Sequence, residues 1–399
     1  MDRHPHQMWN NRMLTSTNLQ RHEQMLFALL RASLNQRPAE ILYFQEATEE
    51  DWSRCYRLAQ KQGVMALAWD GVITLPSHLQ PPVELKLVWA LAVEKYEKKY
   101  ARYCRTIHEL TVLYAKEEIA TLQMKGVGLS TYYPIPSHRE GGDIDIYTFS
   151  ADKDGITDEQ ANHLADELMM RQGIEVDMHS YKHSNFYYQG IPIENHKMFL
   201  NAQHHPVIAQ ADGLLKERMR PRVVNLLDGA CQVCIPSSAF NTIFLAVHTL
   251  QHYGSGIALH HLCDWAVLIN RYGLVLPDEL KDPGFLKAVA AMTCLCNRYL
   301  GTSITECKCS RSLLASIKVS EGEALADEIL DEILHPKYPH KEVVQIKGKW
   351  NILVYKTRRF LHTAKVCNRV FHRPLWKRIW ISVVAHVRRP ETIFQTQAG

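Results

Sequence analysis

A chain of 399 residues, 46% hydrophobic and 22% charged, has room for two or three domains and the composition of a soluble globular protein, not of a disordered or fibrous one. Ten scattered cysteines are too few for a disulfide scaffold, no apolar run is long enough to span a bilayer, and the start Met1-Asp2-Arg3-His4-Pro5-His6 lacks the apolar core of an export signal, so a reducing cytoplasm is expected. The net charge of +4 hides an asymmetry: residues 346–390 hold 12 Lys and Arg and no Asp or Glu, leaving 34 basic against 42 acidic residues elsewhere.

Taken in chain order, residues 1–20 read as a flexible leader. Residues 21–116 read as an α-helical N-terminal region, opened by the stripe Met25, Leu26, Leu29, Leu30 and closed by a long helix from Val83 to about Lys116, behind the break at Pro81-Pro82. A small sheet is predicted over 117–200. It comprises Ile119–Met124, a strand around Asp143 and Asp145, Ile174–Met178, and the pair Ser184–Gln189 and Ile191–His196 turning at Gln189-Gly190. A helix over Asp158–Arg171, stopped by Gly173, is inserted in it. From Asn201 the pattern is helical (Ser238–Tyr253, Ile257–Tyr272, Pro283–Tyr299, Glu323–Leu334), giving an α-helical domain over 201–340 and a basic helical tail over 341–399. The fold class is therefore α+β: a small mixed sheet flanked by helical regions.

The most informative residues are Arg139-Glu140-Gly141-Gly142-Asp143-Ile144-Asp145-Ile146-Tyr147. Side chains alternate along a strand, so Asp143 and Asp145 share a face with Cα atoms roughly 6–7 Å apart. Two carboxylates in an apolar strand repel and resist desolvation, and a divalent cation removes that cost. Aspartate oxygens suit Mg²⁺ or Mn²⁺, and two such ions make a phosphoryl-transfer site. Lys125-Gly126, ending the preceding strand, offers a point charge and a close backbone approach to phosphate. Arg139 and Gly142, just before the aspartates, add a cation that forks onto phosphate or braces the acids, and a flexible backbone. A third carboxylate is needed; Asp177 and Glu194 both lie in strand-like runs, and position alone does not choose.

Bland readings suit several other groups. His248, His252 and Asp264 lie at helical positions and fit a packed helix–helix polar contact better than a zinc site, since no His-Glu-x-x-His accompanies the His pair four apart. Cys231-x-x-Cys234, Cys294/Cys296 and Cys307/Cys309 read as ordinary core or surface cysteines. The tail, with Trp350, Trp376 and Trp380 among its cations, suits a solvated or docked helical face, nucleic acid or anionic lipid, but matches no nucleic-acid module.

Lys125-Gly126, then Tyr133-Pro134-Ile135-Pro136, then Arg139 to Ile146 resembles the bacterial uncharacterised nucleotidyltransferase family, a branch of the DNA polymerase β-like superfamily. The likeness continues through His183, Phe186, Tyr188 and Gly190-Ile191-Pro192-Ile193-Glu194-x-His196, and then Leu245, His248, His252, Leu259 and Asp264-Trp265. It covers roughly residues 50–275. Lys125-Gly126 stands where the superfamily usually has Gly-Ser or Gly-Gly. The resemblance implies metal held by Asp143 and Asp145 and favours Glu194 over Asp177. Lys125, Gly126, Arg139, Gly142, His183 and His196 then surround the nucleotide. The expected function is metal-dependent transfer of an NMP from an NTP to an unidentified hydroxyl acceptor: a small molecule, peptide or protein. The competing expectations are a catalytically silent nucleotide-binding or interaction protein, and an RNA-modifying or toxin-like transferase.

Overall fold

Polar residues at the ends of apolar stripes set the helices of the computed structural model, which describes residues 19–152, 155–202, 205–305, 318–338, 346, 348–372 and 374–388. The elements run α1 (Arg21–Leu34), α2 (Glu49–Lys61), α3 (Met65–Val72), α4 (Val83–Ala115), β1 (Ile119–Gln123), the one-turn α5 (Val127–Ser130), β2 (Ile144–Ser150), α6 (Asp158–Arg171), β3 (Val176–Asp177), β4 (His183–Tyr188), β5 (Ile191–His196), α7 (Pro206–Glu217), β6 (Arg222–Leu226), β7 (Cys231–Ile235), α8 (Ser238–Gln251), α9 (Leu259–Tyr272), α10 (Pro283–Leu295), α11 (Glu323–Leu334), α12 (Lys349–Cys367) and α13 (Leu375–Arg388). The fold is α+β. Thr48 and Thr157 close reciprocal capping boxes with Asp51 and Gln160 at α2 and α6, and Ser237 and Asp282 cap α8 and α10.

Five strands form a mixed sheet in the order β1-β2-β5-β4-β3, in which β2 and β5 are the parallel pair and the other neighbours are antiparallel. The β4–β5 turn is made by Gln189 (φ 51°) and Gly190 (φ 74°), the left-handed pair that a tight hairpin requires. One face of the sheet buries Ile144, Ile146, Phe186 and Ile193 against Ala161, Ala165 and Met169 of α6 and Ile107 and Leu110 of α4. The other face adds Leu122, Met124 and Tyr147 to a larger core shared by the helices before and after the sheet. Phe27 of α1 stacks on Tyr299 at 4.6 Å, and Gln62 after α2 donates to the Ile333 carbonyl at 2.7 Å. Helix α4, 33 residues and so about 50 Å long, runs past both cores.

After Asn201 the chain is not purely helical. Strands β6 and β7 form an antiparallel hairpin whose Cys231, Val233 and Ile235 join the core under the sheet. The alternation of β7 is visible in the sequence, but the turn rests on Leu227 and Asp228 with positive φ, which are weak turn signals before Gly229. Helix α7 lies within the stretch read as helical. The hairpin also disposes of Cys231-x-x-Cys234: three residues apart on a strand, the two thiols face opposite ways, Cys231 into one core and Cys234 towards the other. In the tail, Val370 and Phe371 dock into the larger core while Trp350, Trp376 and Trp380 stay exposed. No helix among the described residues is long and apolar enough to cross a membrane. Most of the leader, Cys307, Cys309 and the ends of the tail lie outside the described residues.

Candidate active site

The parallel pairing of β2 with β5 sets Asp145 directly beside Glu194, with Asp143 one residue before the first residue of β2. Side chains opposite one another in a ladder share a face. The three carboxylates accordingly present oxygens that all lie within 4.8 Å of one another. Asp177 goes elsewhere. It sits on β3 at the far edge of the sheet, with β4 and β5 between it and β2, and its carboxylate turns back to the backbone N–H of His179 at 2.9 Å.

Asp145 is fully buried and not alone. Its Oδ1 lies 2.6 Å from Lys125 Nζ and 2.9 Å from His196 Nε2. Burial works against its charge, but Lys125 and His196 overcome this and hold its carboxyl well below the usual carboxylate range. Lys125 is desolvated in turn, yet Asp145, Asp143 and Glu194 raise its pKa, so it stays an ammonium. Asp143 is the strained member: the charge of Asp145, then burial, push its pKa up. Three carboxylates thus meet one ammonium at bonding distance, that of Lys125, an excess of negative charge that a divalent ion satisfies. Glu194 lies 3.2 Å from His196 Nε2 and 3.3 Å from His183 Nδ1. Burial pushes the His183 imidazole down to about 4, so it is neutral at ordinary pH. Lys182, which the sequence reading passed over, faces the same field: burial and Lys125 lower its pKa while Asp145, Glu194 and Asp143 oppose them. Its place directly before His183 was the available signal.

The loop leading into β2 is pinned residue by residue. Glu140 accepts from the Ala66 N–H at 3.0 Å, in the first turn of α3. The Gly141 and Gly142 carbonyls accept from Lys99 Nζ (2.6 Å) and Tyr103 Oη (2.8 Å), both on α4. Gly126 turns with φ 55° and ψ −117°, a conformation that favours glycine, and approaches Gly141. Beside these glycines lies a shallow cleft walled by Tyr96, Tyr100 and Tyr103. Arg139 does not reach towards the aspartate pair. Its Nε and Nη2 fork onto Asp264 of α9 at 2.8 Å each, and Tyr133 Oη donates to the same carboxylate at 2.6 Å. Of the two roles expected for Arg139, the structure displays bracing, and of a carboxylate outside the strand.

His138 bridges Asp70 (2.7 Å) and Glu97 (3.0 Å), tying the loop to α3 and α4. Burial lowers its pKa, but these hydrogen bonds prevail and the net shift is upward. A raised folded-state pKa stabilises fully below the unfolded value and loses that contribution as pH rises through the folded one. Stability should therefore fall more steeply for the wild type than for His138→Ala as pH rises from 6 to 9 in urea titrations. Parallel pH profiles would remove His138 as the clamp.

The anticipated His248/His252 contact gains a third ring, His261 of α9, and the three offer nitrogens within 4.8 Å of one another. His248 is held neutral by burial and by the nearby Lys125.

The mixed sheet thus carries three clustered carboxylates on and beside its adjoining strands β2 and β5, approached by a lysine-glycine turn. The chain belongs to the uncharacterised nucleotidyltransferase family, whose model matches residues 48–301. A solved structure described as an antigenic nucleotidyltransferase-like protein from Paracoccidioides brasiliensis is similar at 16% identity and a TM-score of 0.33, over 51% of this chain and 93% of that one. No curated protein matches the chain.

Proposed function

We propose that the protein moves a nucleoside monophosphate from a nucleoside triphosphate to an acceptor hydroxyl, releasing pyrophosphate. The observation that carries this reading is the register of Asp145 against Glu194 with Asp143 alongside, their oxygens within 4.8 Å. Asp143, Asp145 and Glu194 would hold Mg²⁺ or Mn²⁺, which supplies charge neutralisation on the triphosphate and on the attacking oxygen. Lys125 leaves Asp145 for the phosphates, or balances them from where it stands. Gly126 and Gly142 let the backbone come close. His183 and His196 orient Glu194. The acceptor oxygen bonds to the α-phosphorus, the bond to the pyrophosphate oxygen breaks, and the hydroxyl proton passes to solvent water.

On this reading residues 117–200 are the catalytic unit of a bacterial, cytoplasmic enzyme of the polymerase β-like superfamily. The helical regions 21–116 and 201–340 enclose it, and 341–399 is a basic tail. The acceptor is a small molecule, peptide or protein. The direct test is incubation with α-labelled ATP, GTP, CTP or UTP, a cell extract and Mg²⁺. Label transferred to an extract component, with stoichiometric pyrophosphate, is the expected result. Nucleotide binding without transfer from any of the four would leave the silent nucleotide-binding protein instead. The exposed tryptophans among the cations of α12 and α13 favour a second reading, an RNA acceptor. It requires RNA binding that weakens steeply with salt; no binding at low salt removes it.

A further inference from the structure

Among the described residues, three groups of side chains bring together metal-capable atoms: Asp143/Asp145/Glu194, His183/Glu194/His196 and His248/His252/His261. The first is the proposed catalytic triad. The third is poorly prepared for a metal, because Nδ1 of His261 accepts the Ala258 N–H at 3.1 Å. A neutral His261 then carries its proton on Nε2, the nitrogen a metal would need bare.

The second group is prepared. His183 and His196 face each other across the β4–β5 ladder, their rings 5.2 Å apart, with Glu194 two residues before His196 on the same face. The Nδ1 atom of His196 lies 3.2 Å from the Met198 carbonyl, which only accepts, so that nitrogen bears the proton. Such a backbone contact fixes the tautomer of many metal-bound histidines. It aims Nε2 at Glu194 Oε2 (3.2 Å) and Asp145 Oδ1 (2.9 Å). An imidazole nitrogen converging with two carboxylate oxygens, one of them also held by Lys125, is a donor set that a cation can gather. His183 supplies the independent observation: its Nδ1 is buried, has no hydrogen-bond partner, and lies 3.3 Å from the same Glu194 oxygen. A buried nitrogen without a donor or acceptor demands a reason.

We propose that His183, Glu194 and His196 form a second divalent-cation site, selective for transition metals (Mn²⁺, Co²⁺, Zn²⁺) over Mg²⁺, that shares Glu194 with the all-oxygen group Asp143/Asp145/Glu194. Two imidazoles and one carboxylate suit first-row transition metals, while carboxylates alone suit Mg²⁺. Glu194, touching both sets, can bridge two ions at the spacing phosphoryl-transfer sites use, roughly 3.5–4 Å. This rests on the proposed function for the role of the first ion, but not for the existence of the second.

Pulsed EPR of the purified full chain with substoichiometric Mn²⁺ tests it without any activity. Wild-type protein should show nitrogen couplings from imidazole ligands. They should persist in Asp143→Asn and drop from two imidazoles to one in His183→Gln, whose partly exposed ring is the safer one to remove. Equilibrium dialysis should show Zn²⁺ affinity falling about 100-fold in His183→Gln, with Mg²⁺ affinity within about threefold of wild type. Absence of nitrogen coupling in the wild type overturns the proposal whatever the variants do, and so does unchanged Zn²⁺ affinity in a folded His183→Gln. Nitrogen coupling with no transfer from any labelled nucleotide would overturn the proposed function and leave this site standing; transfer with oxygen-only Mn²⁺ would do the reverse.

Discussion

Asp145→Asn should abolish nucleotidyl transfer, lowering it at least about 10³-fold, or ~4 kcal/mol of transition-state stabilisation, and should also loosen the fold; Asp143→Asn should match the first effect without the second. The two aspartates share a face but not an environment. Asp145 is buried and is the counter-ion of Lys125 at 2.6 Å and His196 at 2.9 Å. An asparagine there leaves a desolvated ammonium without its anion, the arrangement that costs several kcal/mol. Asp143 is half-buried, and the charge of Asp145 is the largest influence raising its pKa. Its neutralisation relieves repulsion in the free protein, so a melting temperature equal to or above that of the wild type is expected. The measurement is α-labelled nucleotide transfer at saturating Mg²⁺ with thermal denaturation of the same preparations. Transfer by either folded variant at the wild-type rate would sink the assignment of the carboxylates. Equal loss of stability in both would mean that Lys125 does not depend on Asp145 as its position indicates.

What the sequence makes legible here is local, and what it hides is long-range. Helix α6 could be read to the residue, because Thr157 and Gln160 cap its start and Gly173, at φ 77°, ends its stripe. The long helix behind Pro81-Pro82 and the Gln189-Gly190 hairpin were equally plain, each signalled by residues within one turn of the feature. The third carboxylate was not plain. Asp177 and Glu194 have similar neighbours; the family resemblance favours Glu194, but among purely physical signals the strand order, with β5 beside β2 and β3 at the edge, is what sets Glu194 and not Asp177 beside Asp145. Sheet order depends on pairing across tens of residues, which a local pattern does not encode. The roles of Lys125 and Arg139 failed to show for the same reason. Both were rightly seen as cations near the aspartates, but Lys125 is committed to Asp145 by strand geometry, and Arg139 to Asp264, a partner 125 residues away. The unpartnered nitrogen of His183 is likewise a property of packing.

The commitment of Arg139 to Asp264 gives the largest stability effect to be expected in the molecule. Both side chains are nearly inaccessible, at 9% and 4% exposure. Arg139→Met leaves Asp264 buried with only the Tyr133 hydroxyl as donor, and should cost about 3–5 kcal/mol in urea unfolding. Replacing the whole cluster is a different matter. In Tyr133→Phe/Arg139→Met/Asp264→Leu no charge or hydroxyl is stranded, and the apolar volume is nearly kept. Buried ion pairs exchanged in this way are often neutral or better, so the triple variant should recover most of the loss. This separates the two roles that a cation before the aspartates can play. If Arg139 acts only by tying the β2 loop to α9, transfer should return in the triple variant together with stability. A triple variant that folds like the wild type but transfers at the level of Arg139→Met would show instead that the guanidinium leaves Asp264 for a phosphate when nucleotide binds, and that the fork seen here is its resting position.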